Sequence, residues 1–350
     1  MQSLDEKKRD IFEVVGEKGL FSVEKQSIKL SERDLSGTGQ IPVFSSQTSN
    51  NGVMGFTNKV ADFFIKDTPA LIFGDHTKSM DISNHSFCAA DNVKVLRPQN
   101  IPFDALFYVS CAWKKRIPDM GYARHWRKAK KVGIELPVTD SGEPDYAYMA
   151  EYAQQKRNAM LAKYRAYVEA RIAELGEVAE IPALDEKEWK PIFISSMFEL
   201  VRGRENNMAM LEDGDTPLIS AKANNNGLKG FVHNPKKIIA GQCITLNNDG
   251  DGGAGLAYYQ PANMALDSHV TALVPLIDMS AFVMLFIAKC ISGLHGFFGH
   301  GLSISNPRAK RLRIMLPVTD SGEPDYKYME QYAKNMMLRK YRQYLTFAQQ

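Results

Sequence analysis

Apolar positions between residues 144 and 176 recur in steps of three, four and seven: Met149, Tyr152, Ala153, Met160, Tyr164, Tyr167, Ile172 and Leu175. Such steps line up on one stripe of a helix, and Pro144 suits a first helical position. The pattern predicts a helix ending near Gly176, roughly 33 residues and about 50 Å long. A shorter helix is predicted from Pro324 to about Ala348, its stripe including Met329, Tyr332, Met337 and Tyr341. Neither helix hides its stripe alone, so the two are expected to pack together, antiparallel. Helices are also predicted over Phe103–Trp113 and Ser280–Ile291. Strand-like runs at Ile41–Ser45 and Pro217–Ser220 each lead into an Asn-Asn-Gly turn, as a hairpin or loop requires. Further strands are predicted at Ala70–Phe73 and Gln242–Leu246. The apolar run Met279–Ala288 is too short for a bilayer and is bounded by Asp278 and Lys289, so a core helix of a cytoplasmic protein is expected.

These elements come twice because the sequence does. Residues 136–146 and 316–326 both read LPVTDSGEPDY. Leu4-Asp5-Glu6-Lys7 returns as Leu184-Asp185-Glu186-Lys187, and Pro42–Phe56 returns as Pro217–Phe231 with its Pro, Ser, Asn-Asn-Gly and Gly-Phe positions kept. A repeat of this kind governs the whole fold. The second long helix carries a three-residue deletion after Tyr332. The segments 57–92 and 232–269 share almost nothing, so a constant frame carries two divergent surfaces. The expected fold is mixed α/β: two globules, 1–135 and 184–315, with hinge-and-helix segments at 136–183 and 316–350.

At 350 residues, 44% hydrophobic and 24% charged, the chain suits two ordinary cores. Its four cysteines form no Cys-x-x-Cys pair, which disfavours a zinc knuckle or a disulfide framework. Cys111 and Cys290 fall at roughly equivalent places in apolar runs and are expected to be buried. No secretory signal is expected from the polar start. Net charge is only +3, but it is unevenly placed. Lys114, Lys115, Arg116, Arg124, Arg127, Lys128, Lys130 and Lys131 crowd one stretch, interleaved with Trp113, Tyr122 and Trp126. Arg308, Lys310, Arg311 and Arg313 occupy the matching stretch of the second copy. A basic stretch is usually a solvated face. Duplicated beside loops rich in Asn, Gln, Ser and His, it points to phosphate contacts on nucleic acid.

Three motifs imitate other chemistry. Phe297-Phe298-Gly299-His300-Gly301 matches a methyltransferase cofactor loop, but no Pro-Pro partner motif exists and fewer than fifty residues follow. Pro144-Asp145 with Asp185-x-Lys187 imitates a nuclease motif, yet it opens the long helix and has no counterpart after Pro324-Asp325. Asn247-x-Asp249-x-Asp251-Gly252 resembles the start of a calcium loop, with Tyr258 where the bidentate Glu belongs. All are expected to be turns or helix starts, with no metal site.

The order globule, hinge, long helix, globule, hinge, helix resembles the specificity subunits of type I restriction–modification systems. The hinge wording, the two-copy length and Glu188-Trp189-Lys190-Pro191 look closest to the small subunit of BcgI-like type IIB enzymes. Copy one departs at its start, with Lys8-Arg9-Asp10 where copy two has Glu188-Trp189-Lys190. The resemblance implies two target-recognition domains, each reading half of a bipartite sequence in double-stranded DNA. It implies a non-catalytic chain without cofactor. S-adenosylmethionine and Mg2+ are then expected in a separate methyltransferase/endonuclease subunit, two copies of which dock on the helices, without membrane contact. The alternatives are a self-contained nuclease or methyltransferase, or an interaction repeat that binds no nucleic acid.

Candidate DNA contacts in the first copy are Gln47, Asn50, Asn51, His76, Lys78, Arg124, Arg127, Lys128 and Lys130. Those in the second are Lys222, Asn224, Asn225, Asn226, Asn248, His300, Ser303, Asn306, Arg308 and Lys310. Candidate partner-docking residues are Met149, Tyr152, Met160, Tyr164, Tyr167, Met329, Tyr332, Met337 and Tyr341.

Overall fold

The duplicated eleven residues fold alike in both places. Thr139 N–H donates to Glu143 O and Thr319 N–H to Glu323 O, each at 2.9 Å. The turn between requires a left-handed residue, supplied by Gly142 at φ 86° and Gly322 at φ 83°. Asp145 Oδ1 and Asp325 Oδ1 then each accept the backbone N–H three residues on, at 3.0 Å, as a helix start demands. Lys7 reaches Asp145 at 2.7 Å, and Lys187 reaches Asp325 at 2.8 Å. Each lysine also lies 5.1 Å from the ring centroid of Tyr148 or Tyr328. The lysine that ends each Leu-Asp-Glu-Lys is thus the clamp on the repeated hinge, and Pro144-Asp145 is a helix start.

A computed structural model describes residues 7–24, 29–59, 65, 69–121, 123–207, 210–250, 253–299 and 302–348. The chain divides into two units, Met1–Tyr164 and Arg165–Gln350. The first unit contains β1 (Arg9–Phe12), β2 (Phe21–Val23), β3 (Ile41–Phe44), β4 (Val53–Thr57), β5 (Ala70–Gly74), β6 (Met80–Ser83), β7 (Cys88–Ala89), β8 (Val93–Pro98), α1 (Phe103–Arg116), α2 (Trp126–Ala129) and β9 (Ile134–Pro137). Helix α3 (Tyr146–Leu175) begins there. The second contains β10 (Trp189–Phe193), α4 (Ile194–Met197), β11 (Phe198–Arg202), β12 (Asp213–Ile219), β13 (Leu228–Val232), β14 (Ile238–Ile239), β15 (Cys243–Asn247), β16 (Ala257–Gln260), β17 (Met264–Leu266), β18 (Val270–Pro275), α5 (Ala281–Ser292), α6 (Asn306–Lys310), β19 (Arg313–Pro317) and α7 (Tyr326–Phe347).

The fold is mixed α/β, and each unit repeats one sheet plan. The antiparallel sheets β2-β8-β5-β6 and β11-β18-β15-β16 match strand for strand. In the second pair of sheets, β4-β3-β7 and β13-β12-β17-β14, strand β3 runs parallel to β7 and β12 parallel to β17. The ribbons β1-β9 and β10-β19 carry the chain into the hinge.

Helix α1 buries Ala105, Leu106, Val109, Ser110 and Trp113. Helix α5 buries Val283, Met284, Ile287, Ala288 and Ile291, the same face in the same rhythm. This register sets Lys289, not Cys290, opposite Cys111. Cys111 lies on the outer face and is exposed, so its expected burial is corrected; Cys290 is half-buried. Met149 and Met329 are fully buried in the two cores. They anchor their helices and offer nothing to a docking partner.

Within the second unit, the end of α3 and the strap after it run antiparallel to α7. Tyr167 meets Tyr341 edge-on at 6.4 Å. Ala179 exchanges two backbone hydrogen bonds with the Asn335 side chain, and Tyr328 donates to Pro182 O at 3.0 Å. The seam is aromatic and amide-bonded there, where the apolar stripe predicted simple packing. Among the described residues no helix is long and apolar enough to cross a membrane.

Candidate nucleic-acid interface

In the first unit three polar segments meet at one end of the sheets. The first follows β3. Asn50, Asn51 and Gly52 all have left-handed backbones, at φ 49°, 49° and 78°, a conformation that asparagine and glycine tolerate best. Gln47 braces the turn, donating through Nε2 to Ser49 O and Val53 O. The second segment links β5 to β6, and Ser46 Oγ accepts the His76 N–H at 3.2 Å. The third surrounds α2. His125 is buried, accepting the Met120 N–H at Nε2 (3.1 Å) and meeting Asp75 O through Nδ1 (3.1 Å). That pairing assigns the proton to Nδ1. Asp75 Oδ1 accepts the Trp126 N–H at 2.7 Å.

The struts leave Asn50, Asn51, Arg124, Arg127, Lys128 and Lys130 exposed. His76 and Lys78 are half-buried, Lys78 facing Asp119 at 3.6 Å. The aromatic residues among the cations are structural. Trp113 is fully buried and donates to Ala129 O at 3.1 Å. Trp126 lies on Phe73 and Trp113 at centroid distances of 5.7 and 6.5 Å. Tyr122 is outside the described residues.

The second unit builds the same junction from different side chains. Asn225, Asn226 and Gly227 repeat the left-handed turn at φ 51°, 54° and 76°. Lys222 O accepts from Asn247 Nδ2 and from the Tyr258 hydroxyl, each at 3.1 Å. Where Asp75 stands in the first unit, the second has Asn248. Its side chain donates to Ile304 O at 2.8 Å and accepts from Thr271 at 2.9 Å. Asn248 is therefore a buried strut, and its assignment as a base reader is corrected.

Asn224 and Asn225 are exposed, and so is Asn226, although its amide donates inward to Tyr259 O. Lys222 folds back on Leu228 O at 3.1 Å. Ser303, Arg308 and Lys310 are exposed, with the Arg308 guanidinium bonded to Ser303 O. Asn306 is half-buried, with an unpartnered Oδ1. His300 lies outside the described residues. On this rim the half-buried Asp249 pairs with the exposed His269 at 2.7 Å, a partner that the sequence did not single out. Hydrogen bonding to Asp249 raises the His269 pKa above the ordinary histidine value, against burial.

Of the docking candidates, Met160 is 68% exposed, and Tyr164 and Tyr167 are exposed. Met337 and Tyr341 are half-buried. Tyr152 packs on Tyr108 at 5.6 Å and Tyr332 on Phe286 at 5.6 Å. A groove of about 810 Å³ between α1 and α3 is lined by Phe103, Phe107, Cys111, Arg157 and Met160 among others. Among the described residues no cluster of His, Cys, Asp and Glu is arranged to hold a metal ion.

Residues 186–344 match the type I restriction modification DNA specificity domain. The specificity subunit of the type II restriction enzyme BcgI, from Heyndrickxia coagulans, is 22% identical over 272 residues, which is 77% of each chain. The S subunit of a type I restriction–modification system from M. genitalium superposes at TM-score 0.48 and 13% identity, over 100% of this chain and 93% of that one. The HsdS subunit from Thermoanaerobacter tengcongensis gives TM-score 0.33 at 13% identity, over 81% and 75%. The second copy thus matches the DNA specificity domain of type I restriction–modification systems, and the chain as a whole is similar to a specificity subunit of a restriction enzyme.

Proposed function

We propose that the chain is the sequence-reading, non-catalytic subunit of a restriction–modification complex. Each unit reads one half of a bipartite DNA target. The carrying observation is the three-segment junction, built twice on one sheet plan with different side chains at its rim. Exposed cations supply sequence-independent attraction to phosphates, and Asn and Arg side chains match adenine and guanine edges in the major groove. The exposed parts of α3 and of α7 each offer a docking face for a methyltransferase/endonuclease subunit, two copies to one chain, and within the first unit the groove beside α1 adjoins α3. S-adenosylmethionine and Mg2+ belong to that subunit.

A gel-shift titration with salt, with and without the methylating subunit, tests this reading. Sequence-preferring, salt-sensitive binding is expected with the partner present, and neither methyl transfer nor cleavage from this chain alone. Methylation by the isolated chain would overturn it.

A further inference from the structure

The rim pair Asp249–His269 invites a specific role, which rests on the DNA-reading function above. His269 Nδ1 is 2.7 Å from Asp249 Oδ1, and the two side chains are 56% and 35% exposed. An exposed ion pair adds little to stability, so folding gives little reason for it. A carboxylate on a phosphate-facing rim is electrostatically unfavourable unless it is compensated or used.

The repeat shows that this position is where the two units differ. Asn248 N–H donates to His269 O at 2.9 Å, and Asp75 N–H donates to Asn92 O at 2.8 Å. That shared backbone bond makes Asp249 the counterpart of His76, and His269 the counterpart of Asn92. The frame is kept and the chemistry on it is exchanged.

The other charged groups around His269 leave it directed at Asp249. Asp267 accepts the His269 backbone N–H at 3.0 Å. Arg202 is spent on Ser268 O at 2.9 Å. Glu205 accepts the backbone N–H of Lys236 at 2.6 Å.

We propose that Asp249, oriented by His269, is a specificity-determining acceptor for an exocyclic base amine, of cytosine or adenine, in the half-site read by the second unit. Carboxylates recognise such amines in the major groove, and the imidazolium cancels the charge that phosphates would repel. The raised His269 pKa keeps that proton to higher pH than an ordinary histidine would. As pH climbs through it, Asp249 is left uncompensated and second-unit affinity falls.

The test is site selection from a library randomised at both half-sites, using the complex of the full chain with its methylating subunit. Wild type, Asp249→Ala, Asp249→Asn and His269→Ala are compared at pH 6 and pH 8.5. Wild type should prefer cytosine or adenine at one position of one half-site. Asp249→Ala should lower that preference roughly tenfold or more and leave the other half-site within about twofold. His269→Ala should abolish the fall in affinity at high pH. Asp249→Asn, which leaves no carboxylate to uncompensate, should largely remove that fall. Unchanged selectivity in Asp249→Ala, or equal loss at both half-sites, overturns the proposal while DNA reading stands. No preference at either half-site in wild type overturns both.

Discussion

Asn50, Asn51 and Gly52, like Asn225, Asn226 and Gly227, hold a run of left-handed residues at an exposed tip. Few residue types accept that backbone, which is why this turn could be read from the chain directly. The role of Trp113 and Trp126 could not. Beside so many cations they look like stacking partners for bases, yet they pin α2 to the core. Composition does not say which side of a short helix faces inward. Trp113→Ala should therefore destabilise the fold by about 3–5 kcal/mol in denaturant titration. Surface cations should behave differently. Lys130→Ala should weaken binding to all sequences alike and reduce the slope of log affinity against log salt by roughly one. Arg308→Ala should cost about 1–3 kcal/mol at one half-site only. A uniform loss from Arg308→Ala would contradict the assignment of one unit to one half-site.

At the level of elements, helices and hinge were legible because their signals are local. A long apolar stripe, a Pro-Asp start and a glycine turn lie within a few residues of one another. The strands β1 and β10 were missed because their signal is distant: Arg9 pairs with Pro137, and Trp189 with Pro317. The clamp between these ribbons and the helix starts is testable by acid. A hydrogen bond from Lys7 lowers the Asp145 pKa, despite burial. At Asp325 burial pushes upward, but Lys187 and the Tyr328 N–H outweigh it. Carboxylates lowered in the folded state stabilise it above their unfolded pKa, near 3.9, and lose that contribution as pH falls through the folded value. Wild type should thus lose stability below about pH 4 more steeply than Asp325→Ala. At neutral pH that variant should be weaker by about 1 kcal/mol or more, since a helix cap is lost.

For the whole molecule, the duplicated frame was visible in eleven identical residues, whereas the rim chemistry was not. Asn248 reads as an exposed polar loop residue until Ile304, far along the chain, is seen to bury it. The proposed ruler between half-sites is the pair of long helices, and on that proposal the centre-to-centre spacing should be about one helical turn, roughly 10 base pairs. Four residues inserted near Ala159 add about 6 Å and slightly more than one helical turn. At about 3.4 Å per base pair, the preferred gap should lengthen by about two base pairs, with both half-sites unchanged. An unaltered gap in a randomised-spacer library would remove the ruler role. The central claim is tested most directly by selecting preferred sites from fully randomised DNA with the reconstituted complex. The expected result is two short defined sequences separated by an unread gap of fixed length. A single continuous sequence, or no preference at all, would contradict it.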